Sequence, residues 1–180
     1  MDAAAERLRI LKSRRMTLVA ATHDLISADL GGRKMLASVL EAEVAENWPP
    51  DLYDRPAMAY SLSQLRDEAQ EGWSFWYLIL DDSNQLAGLS GFKGRPDASG
   101  SVEIGYSVLS QFQGQGLATE AAMRLIGWAF THQGVKEVTA ETLPHLKSSI
   151  RVLEKNGMEY KGAGSETGVI RYAVGRPDGR

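Results

Sequence analysis

Apolar positions recur along this chain in two rhythms, and the switches between them divide it into elements. In residues 117–131 they fall at Leu117, Ala118, Ala121, Ala122, Leu125, Ile126, Ala129 and Phe130. That 3.6-residue period predicts an amphipathic helix. Immediately before it, residues 102–109 alternate Val102, Ile104, Tyr106 and Val108 against Glu103, Gly105 and Ser107, the period-2 pattern of a strand with two distinct faces. The aromatic, apolar run 73–80 reads as a buried strand, Asp81-Asp82-Ser83-Asn84 as a turn, and 85–93 as the returning strand of a hairpin.

Upstream, 16–22 predicts a first strand. Helices are expected at 32–46 (Met35, Leu36, Val39, Leu40 and Val44) and at 57–71, separated by a turn at Trp48-Pro49-Pro50-Asp51, where proline restricts itself and its predecessor. Downstream, 135–143 reads as a strand, 149–156 as a short helix stopped by Gly157, and 158–162 and 169–174 as closing strands around a 162–168 loop. The order β, α, α, β, β, β, α, β, α, β, β defines a mixed α/β domain over 16–175. It leaves 1–15 as an extension or short helix and 176–180 as a tail.

Composition narrows the partners. The 180 residues carry a net charge of -3, 43% hydrophobic and 24% charged side chains, and no repeat or linker, which suits one globular domain. The mild acidity argues against nucleic acid as a main partner. Without cysteine, disulfides, thiolate metal sites and an acyl-cysteine intermediate are excluded. His23, His132 and His145 lack metal-ligand spacing, so no metal is expected. The longest apolar run is far too short for a bilayer span and the N-terminus lacks the apolar core of a signal peptide; a cytoplasmic location is expected. The sequence is compatible with a monomer or a homodimer.

The chemistry concentrates at Gln113-Gly114-Gln115-Gly116, between the 102–109 strand and the 117–131 helix. No Ser, Thr, Asp or Asn stands where a helix cap belongs. Uncapped N–H groups at the positive end of a helix dipole make an anion site, and glycine lets a phosphate approach the backbone. The same spacing also fits a plain glycine-capped loop. It further resembles a dinucleotide fingerprint, with Glu137 and Glu141 about 20 residues on. Against the fingerprint, Thr119 replaces the third glycine and too little chain follows for a full dinucleotide domain.

The run from Glu103-Ile104-Gly105-Tyr106-Ser107-Val108 through Gln113-Gly114-Gln115-Gly116-Leu117-Ala118-Thr119 resembles the central motif of the GNAT superfamily, with Gln113, Gly116 and Ala118 in frame. The run Ser149-Ile150-Arg151-Val152-Leu153-Glu154-Lys155-Asn156-Gly157 resembles its second motif, nearest to the RimL-like branch of ribosomal-protein N-terminal acetyltransferases. The resemblance is tight over about 86–160 and loose before it. It implies a mostly antiparallel central sheet flanked by helices and splayed between the 102–109 and 135–143 strands. It also implies acetyl-coenzyme A as cosubstrate, its pyrophosphate on the N–H groups of Gln113 to Thr119 and its pantetheine beside Ser107, Val108 and Leu109. The expected activity is direct acetyl transfer, in a ternary complex, to the primary amine of a small molecule or a peptide N-terminus.

Within that frame Glu103 is a candidate base, or else a half-exposed strand carboxylate. Glu141 is a candidate anchor for the acceptor amine, or a satisfied polar residue at a strand end. Tyr106 and His145 are candidates for the acceptor side, and Arg151 for the coenzyme phosphates, with a solvated helix face as its alternative. The Asn and Tyr that many family members carry in the second motif are here Leu146 and Leu153, which cannot donate a proton. That leaves Ser149 as the remaining hydroxyl for the thiolate or pantetheine, unless Ser148 or Ser149 simply caps the helix. The same two leucines admit a rival, a non-catalytic acyl-coenzyme-A-binding or regulatory module. Trp48, Tyr53, Trp73, Phe75, Trp76 and Tyr77 either wall the substrate site or belong to the core.

Overall fold

The computed structural model describes residues 8–177. One eight-stranded sheet runs β1 (Ile10–Lys12), β2 (Met16–Ala20), β3 (Phe75–Leu80), β4 (Leu86–Phe92), β5 (Ser101–Val108), β6 (Glu137–Thr142), β8 (Ile170–Gly175), β7 (Glu159–Ala163) in spatial order. Every neighbouring pair is antiparallel except β5 and β6. Period-2 alternation sends side chains to two cores. Met16, Leu18, Trp76 and Leu78 join α4 (Leu117–Phe130) and α5 (Lys147–Lys155) in one; Val19, Phe75, Tyr77 and Ile79 join α1 (His23–Gly31), α2 (Arg33–Leu40) and α3 (Arg55–Gln64) in the other. The sheet is therefore covered on both faces. Trp73, Phe75, Trp76 and Tyr77 are buried in these cores.

The N-terminal third departs from the pattern-based expectation. Ile10–Lys12 is an edge strand on β2 with Leu11 half-buried against the core, where an extension or short helix was expected; residues 1–7 lie outside the described residues. Thr22 ends no strand: its hydroxyl accepts the Leu25 N–H and caps α1, an element the periodicity did not reveal. The helix expected to reach residue 46 stops at Leu40. Glu41 turns left-handed, and Glu43 then exchanges backbone bonds with Asn84 and Leu86 beside the hairpin turn. The next helix ends at Gln64 and is followed by one 3-10 turn over Glu68–Gln70. At the other end, Arg176 of the expected 176–180 tail is fixed, its guanidinium donating to the carbonyls of Val135, Phe130 and His132; residues 178–180 lie outside the described residues. Among the described residues no helix is long and apolar enough to cross a membrane.

Candidate active site

The one parallel junction is where the sheet opens. Asp97 organises the approach by accepting bonds from the Ser99 and Ser101 N–H groups and the Ser99 hydroxyl. Gly100 then takes φ +85, with its carbonyl accepting the Lys136 N–H at 2.8 Å. A β-carbon there would lie 2.6 Å from the Gly134 carbonyl oxygen, so only glycine permits the start of β5 and the start of β6 to meet. Pairing then runs only through Ser101–Glu103 against Glu137–Thr139. Beyond it β5 stays with β4 up to Val108 and β6 stays with β8, leaving a cleft of about 850 Å³ between them. The edge of β5 that faces this cleft carries backbone groups that an ordinary sheet would spend on its neighbour.

At the far end of β5, one 3-10 turn over Ser110–Phe112 leads into Gln113–Gly116. Gly114 and Gly116 adopt φ +75 and +78, a region that side chains disfavour. Gln113 braces the turn by donating from Nε2 to the Val108 carbonyl at 2.9 Å. Helix α4 starts from Gly116 with no side-chain cap, so its first-turn N–H groups face the cleft lined by Gly114, Gly116, Leu117, Ala118 and Thr119. These features suit a pyrophosphate: exposed donors, a positive dipole end, and open space beside Gly114 that a β-carbon would partly fill. Arg151 and Lys155, on α5, add positive charge to the same wall.

Glu103, Gly105 and Ser107 share one face of β5, as alternation requires, and line the cleft together with Ile104, Tyr106 and Val108 from the other. Glu103 is about three-quarters buried and ion-paired with Lys93, which lies directly across the β4–β5 ladder. Nothing stands within 4 Å of the position a Gly105 β-carbon would take, so the floor beside Glu103 is open. Tyr106 reaches over the cleft to α5, its hydroxyl donating to the Ser149 carbonyl at 3.0 Å and lying 3.1 Å from Ser149 Oγ. Burial pushes the Tyr106 phenol up to about 12, against the opposing bond from Ser149. It therefore holds its proton throughout the neutral range.

Other expected residues fall differently. Glu141 lines the cleft but is already fully engaged: Arg171 donates from Nε and Nη2 at 3.0 and 2.7 Å, and Ser165 from its N–H and hydroxyl at 2.8 and 2.6 Å. Burial works against the charge, yet these four bonds hold the carboxyl below the usual range. The alternative of a satisfied strand-end residue describes it, and it pins the β7–β8 loop. His145 is exposed and outside the cleft lining. Leu109 is buried behind the turn, and Gln115 turns away, its carbonyl accepting from Arg15 at 3.0 Å. Neither Ser148 nor Ser149 caps α5, which begins at Lys147 with Leu146 at the cap position. Leu153 is core, while Leu146 is partly exposed in the cleft wall.

Sequence reasoning missed Lys93, Arg15 and Leu52. Lys93 was recoverable from the hairpin register opposite Glu103. Arg15 runs beside Gly116 and is fixed by Glu120, which accepts its backbone N–H and its Nε, both at 2.7 Å. No local pattern links residues 105 positions apart.

A mixed sheet split beside a parallel strand pair, with an uncapped helix end at one end of the split and a carboxylate at the other, defines an acyl-coenzyme-A-dependent N-acyltransferase. The family described as "Acetyltransferase (GNAT) domain" matches residues 27–159, and the chain belongs to it. That membership overturns the dinucleotide alternative. Among relatives, an uncharacterized N-acetyltransferase of Bacillus subtilis (strain 168), YjdG, is 26% identical over 82% of this chain and 88% of its own length. The [ribosomal protein uS5]-alanine N-acetyltransferase of Escherichia coli (strain K12) is 27% identical over 56% of this chain and 53% of its own. Among solved structures, ribosomal-protein-S5-alanine acetyltransferase from Vibrio fischeri superposes with TM-score 0.66 at 17% identity, covering 94% of this chain and 98% of that one. RimL, a ribosomal L7/L12 alpha-N-protein acetyltransferase, in complex with coenzyme A gives 0.63 at 18% identity, covering 93% and 98%.

Proposed function

We propose that this protein transfers the acetyl group of acetyl-coenzyme A directly to a primary amine within a ternary complex. The acceptor is the amine of a small molecule or of a peptide or protein N-terminus. The observation that carries this reading is the β5–β6 cleft, which joins an uncapped helix terminus to a partly buried carboxylate. The similarity to a ribosomal-protein alanine acetyltransferase supports a peptide N-terminus among the acceptors.

The N–H groups of Gly114 to Thr119 hold the pyrophosphate, with Arg151 alongside. The open edge of β5 at Ser107 and Val108 takes the pantetheine and donates to the thioester carbonyl, an oxyanion-type contact worth a few kcal/mol. At neutral pH a lysine-like amine, with pKa near 10.4, is almost wholly protonated, and an N-terminal amine, at about 7.7–8.0, is mostly so. Glu103, directly or through one water, accepts that proton, and Lys93 yields its place to the incoming ammonium. The amine nitrogen then bonds to the carbonyl carbon as the carbon–sulfur bond breaks. Tyr106, neutral and held by Ser149, donates to the departing sulfur, and the second proton shed by the nitrogen as the amide forms restores the phenol. A coenzyme thiol has pKa around 8.5 and leaves with little help, so this donor refines the step. The absence of any cysteine to carry the acetyl group supports direct transfer.

The test is thermal unfolding with acetyl-coenzyme A, coenzyme A and NAD in parallel, followed by an amine panel read by free-thiol release. Ligand at about a hundred times its dissociation constant adds about 2.7 kcal/mol. Stabilisation by both coenzymes but not NAD, with amine-dependent thiol release, is expected. Binding without release on any amine would leave only the non-catalytic module.

A further inference from the structure

Leu52 occupies a position that a leucine rarely holds. In the turn from Pro50 to Tyr53, closed by the Tyr53 N–H on the Pro50 carbonyl at 3.3 Å, it takes φ +74. That third position of a turn is normally given to Gly or Asn, because a branched side chain is strained there. Leu52 gains no packing in return, since it is 84% exposed. The loop around it is nevertheless held firmly. Trp48 Nε1 donates to the buried Asp29 at 2.9 Å and stacks on Tyr77, and Tyr53 packs edge-on against Phe75 at 5.6 Å. Two anchored aromatics thus hold out a strained apolar side chain, and it lines the β5–β6 cleft together with Lys93 and Glu103.

Backbone strain retained without a structural return points to a functional constraint. A second observation gives its direction. Three exposed large apolar side chains among the described residues, Leu52, Leu143 and Leu146, line this one cleft, and Val169 joins them. These are three of the nine such side chains among the described residues, and their meeting on one concave surface marks a binding site for an apolar group. We propose that Leu52 determines acceptor specificity, forming with this apolar wall a seat for the side group beside the amine, so that the preferred acceptor is a primary amine flanked by an aliphatic or aromatic group. This assignment rests on the acetyl-transfer reading of the cleft.

The experiment compares leucinamide with serinamide, whose amines are alike and whose side groups differ in polarity, in the wild type and in Leu52→Gly. Glycine suits the turn, so the thermal midpoint of Leu52→Gly stays level or rises, and acetyl-coenzyme A affinity measured by calorimetry is unchanged. The wild type favours leucinamide in kcat/KM, and the variant loses about tenfold of that preference through KM, the scale for removing one aliphatic contact in a pocket. Equal use of the two amides by the wild type, an unchanged ratio in the variant, or a lowered midpoint each overturns the assignment. Use of only polar or polycationic amines in a parallel panel overturns it while sparing the transfer reading. Coenzyme binding with no acetylation of any amine brings down the transfer reading and the Leu52 assignment with it.

Discussion

The Tyr106 hydroxyl lies 3.1 Å from Ser149 Oγ and 3.0 Å from the Ser149 carbonyl oxygen, tying β5 to the first turn of α5 across the cleft. Leu153, the position where the family resemblance implies a proton-donating tyrosine, is meanwhile buried in the core. The two hydroxyls of this bridge are those of Tyr106 and Ser149. Because the phenol outranks a serine hydroxyl as an acid, the two variants should differ. Tyr106→Phe should lower kcat about tenfold, less than the roughly hundredfold usual for a general acid, because the coenzyme thiol leaves with little help. Ser149→Ala, which leaves the carbonyl as a partner for Tyr106, should cost less. Steady-state kinetics with coenzyme affinity measured separately decides it, and equal losses in both would remove Tyr106 as the donor.

The phosphate cradle predicts a separation of binding from folding. Gly114→Ala forces a side chain to φ +75, at a cost of about 1–2 kcal/mol. For a chain of this size each kcal/mol lowers the thermal midpoint by about 2–4 °C, so the variant stays folded at room temperature. Its β-carbon meets nothing in the protein within 4 Å and enters the space beside the turn. Coenzyme A affinity by calorimetry should fall by about an order of magnitude or more, as expected when a backbone cradle is shifted against a phosphate. Unchanged affinity would detach the turn from the pyrophosphate.

How much of this was readable in the sequence depends on the range of the interactions. Helix α4, strand β5 and the glycine turn between them carry their signals in adjacent residues, and they appear within a residue or two of the expected bounds. The same holds for the β3–β4 hairpin. Helix α1 escaped because it is only nine residues long and buries the polar Asp29 beside Leu25, Ile26 and Ala28, which blurs its period, and the Thr22 cap was absorbed into the strand pattern. The fate of Glu141 could not be read locally, since Arg171 and Ser165 reach it from another strand and its loop. Leu52 was invisible for a different reason: a leucine in a proline-rich turn announces nothing until its backbone angle is known.

Glu141 gives a prediction about stability with a definite sign. Its carboxyl is held below the ordinary range in the folded chain, so it contributes stability that is complete above about pH 4.3, the unfolded value for glutamate, and lost as pH falls through the lower folded value. Glu141→Gln should remove about 1–3 kcal/mol at neutral pH, the scale for charge-assisted hydrogen bonds left unmade. It should also flatten the acid limb, so that wild type and variant converge at low pH. Urea unfolding from pH 7 down to about 3 would check both, across the glutamate range. A constant gap over that window would mean the bonds do not depend on the charge.

Glu103 makes the sharpest demand on the mechanism. If it accepts the proton of the incoming ammonium, Glu103→Gln should lower kcat at neutral pH by about a hundredfold, the lower bound for general-base catalysis. The deficit should shrink as pH approaches about 10.4, where a lysine-like amine is neutral without help. Lys93→Met supplies the counterpart. It removes the cation that occupies the Glu103 carboxylate, so an acceptor ammonium no longer has to displace one, and the acceptor KM should fall. A structural role for the ion pair predicts the opposite pattern, with both variants losing thermal stability and neither changing the shape of the pH profile. Rate profiles from pH 6.5 to about 10 for the two variants and the wild type, on one amine of known pKa, separate these cases. Parallel profiles for Glu103→Gln and wild type would return Glu103 to the status of a strand carboxylate.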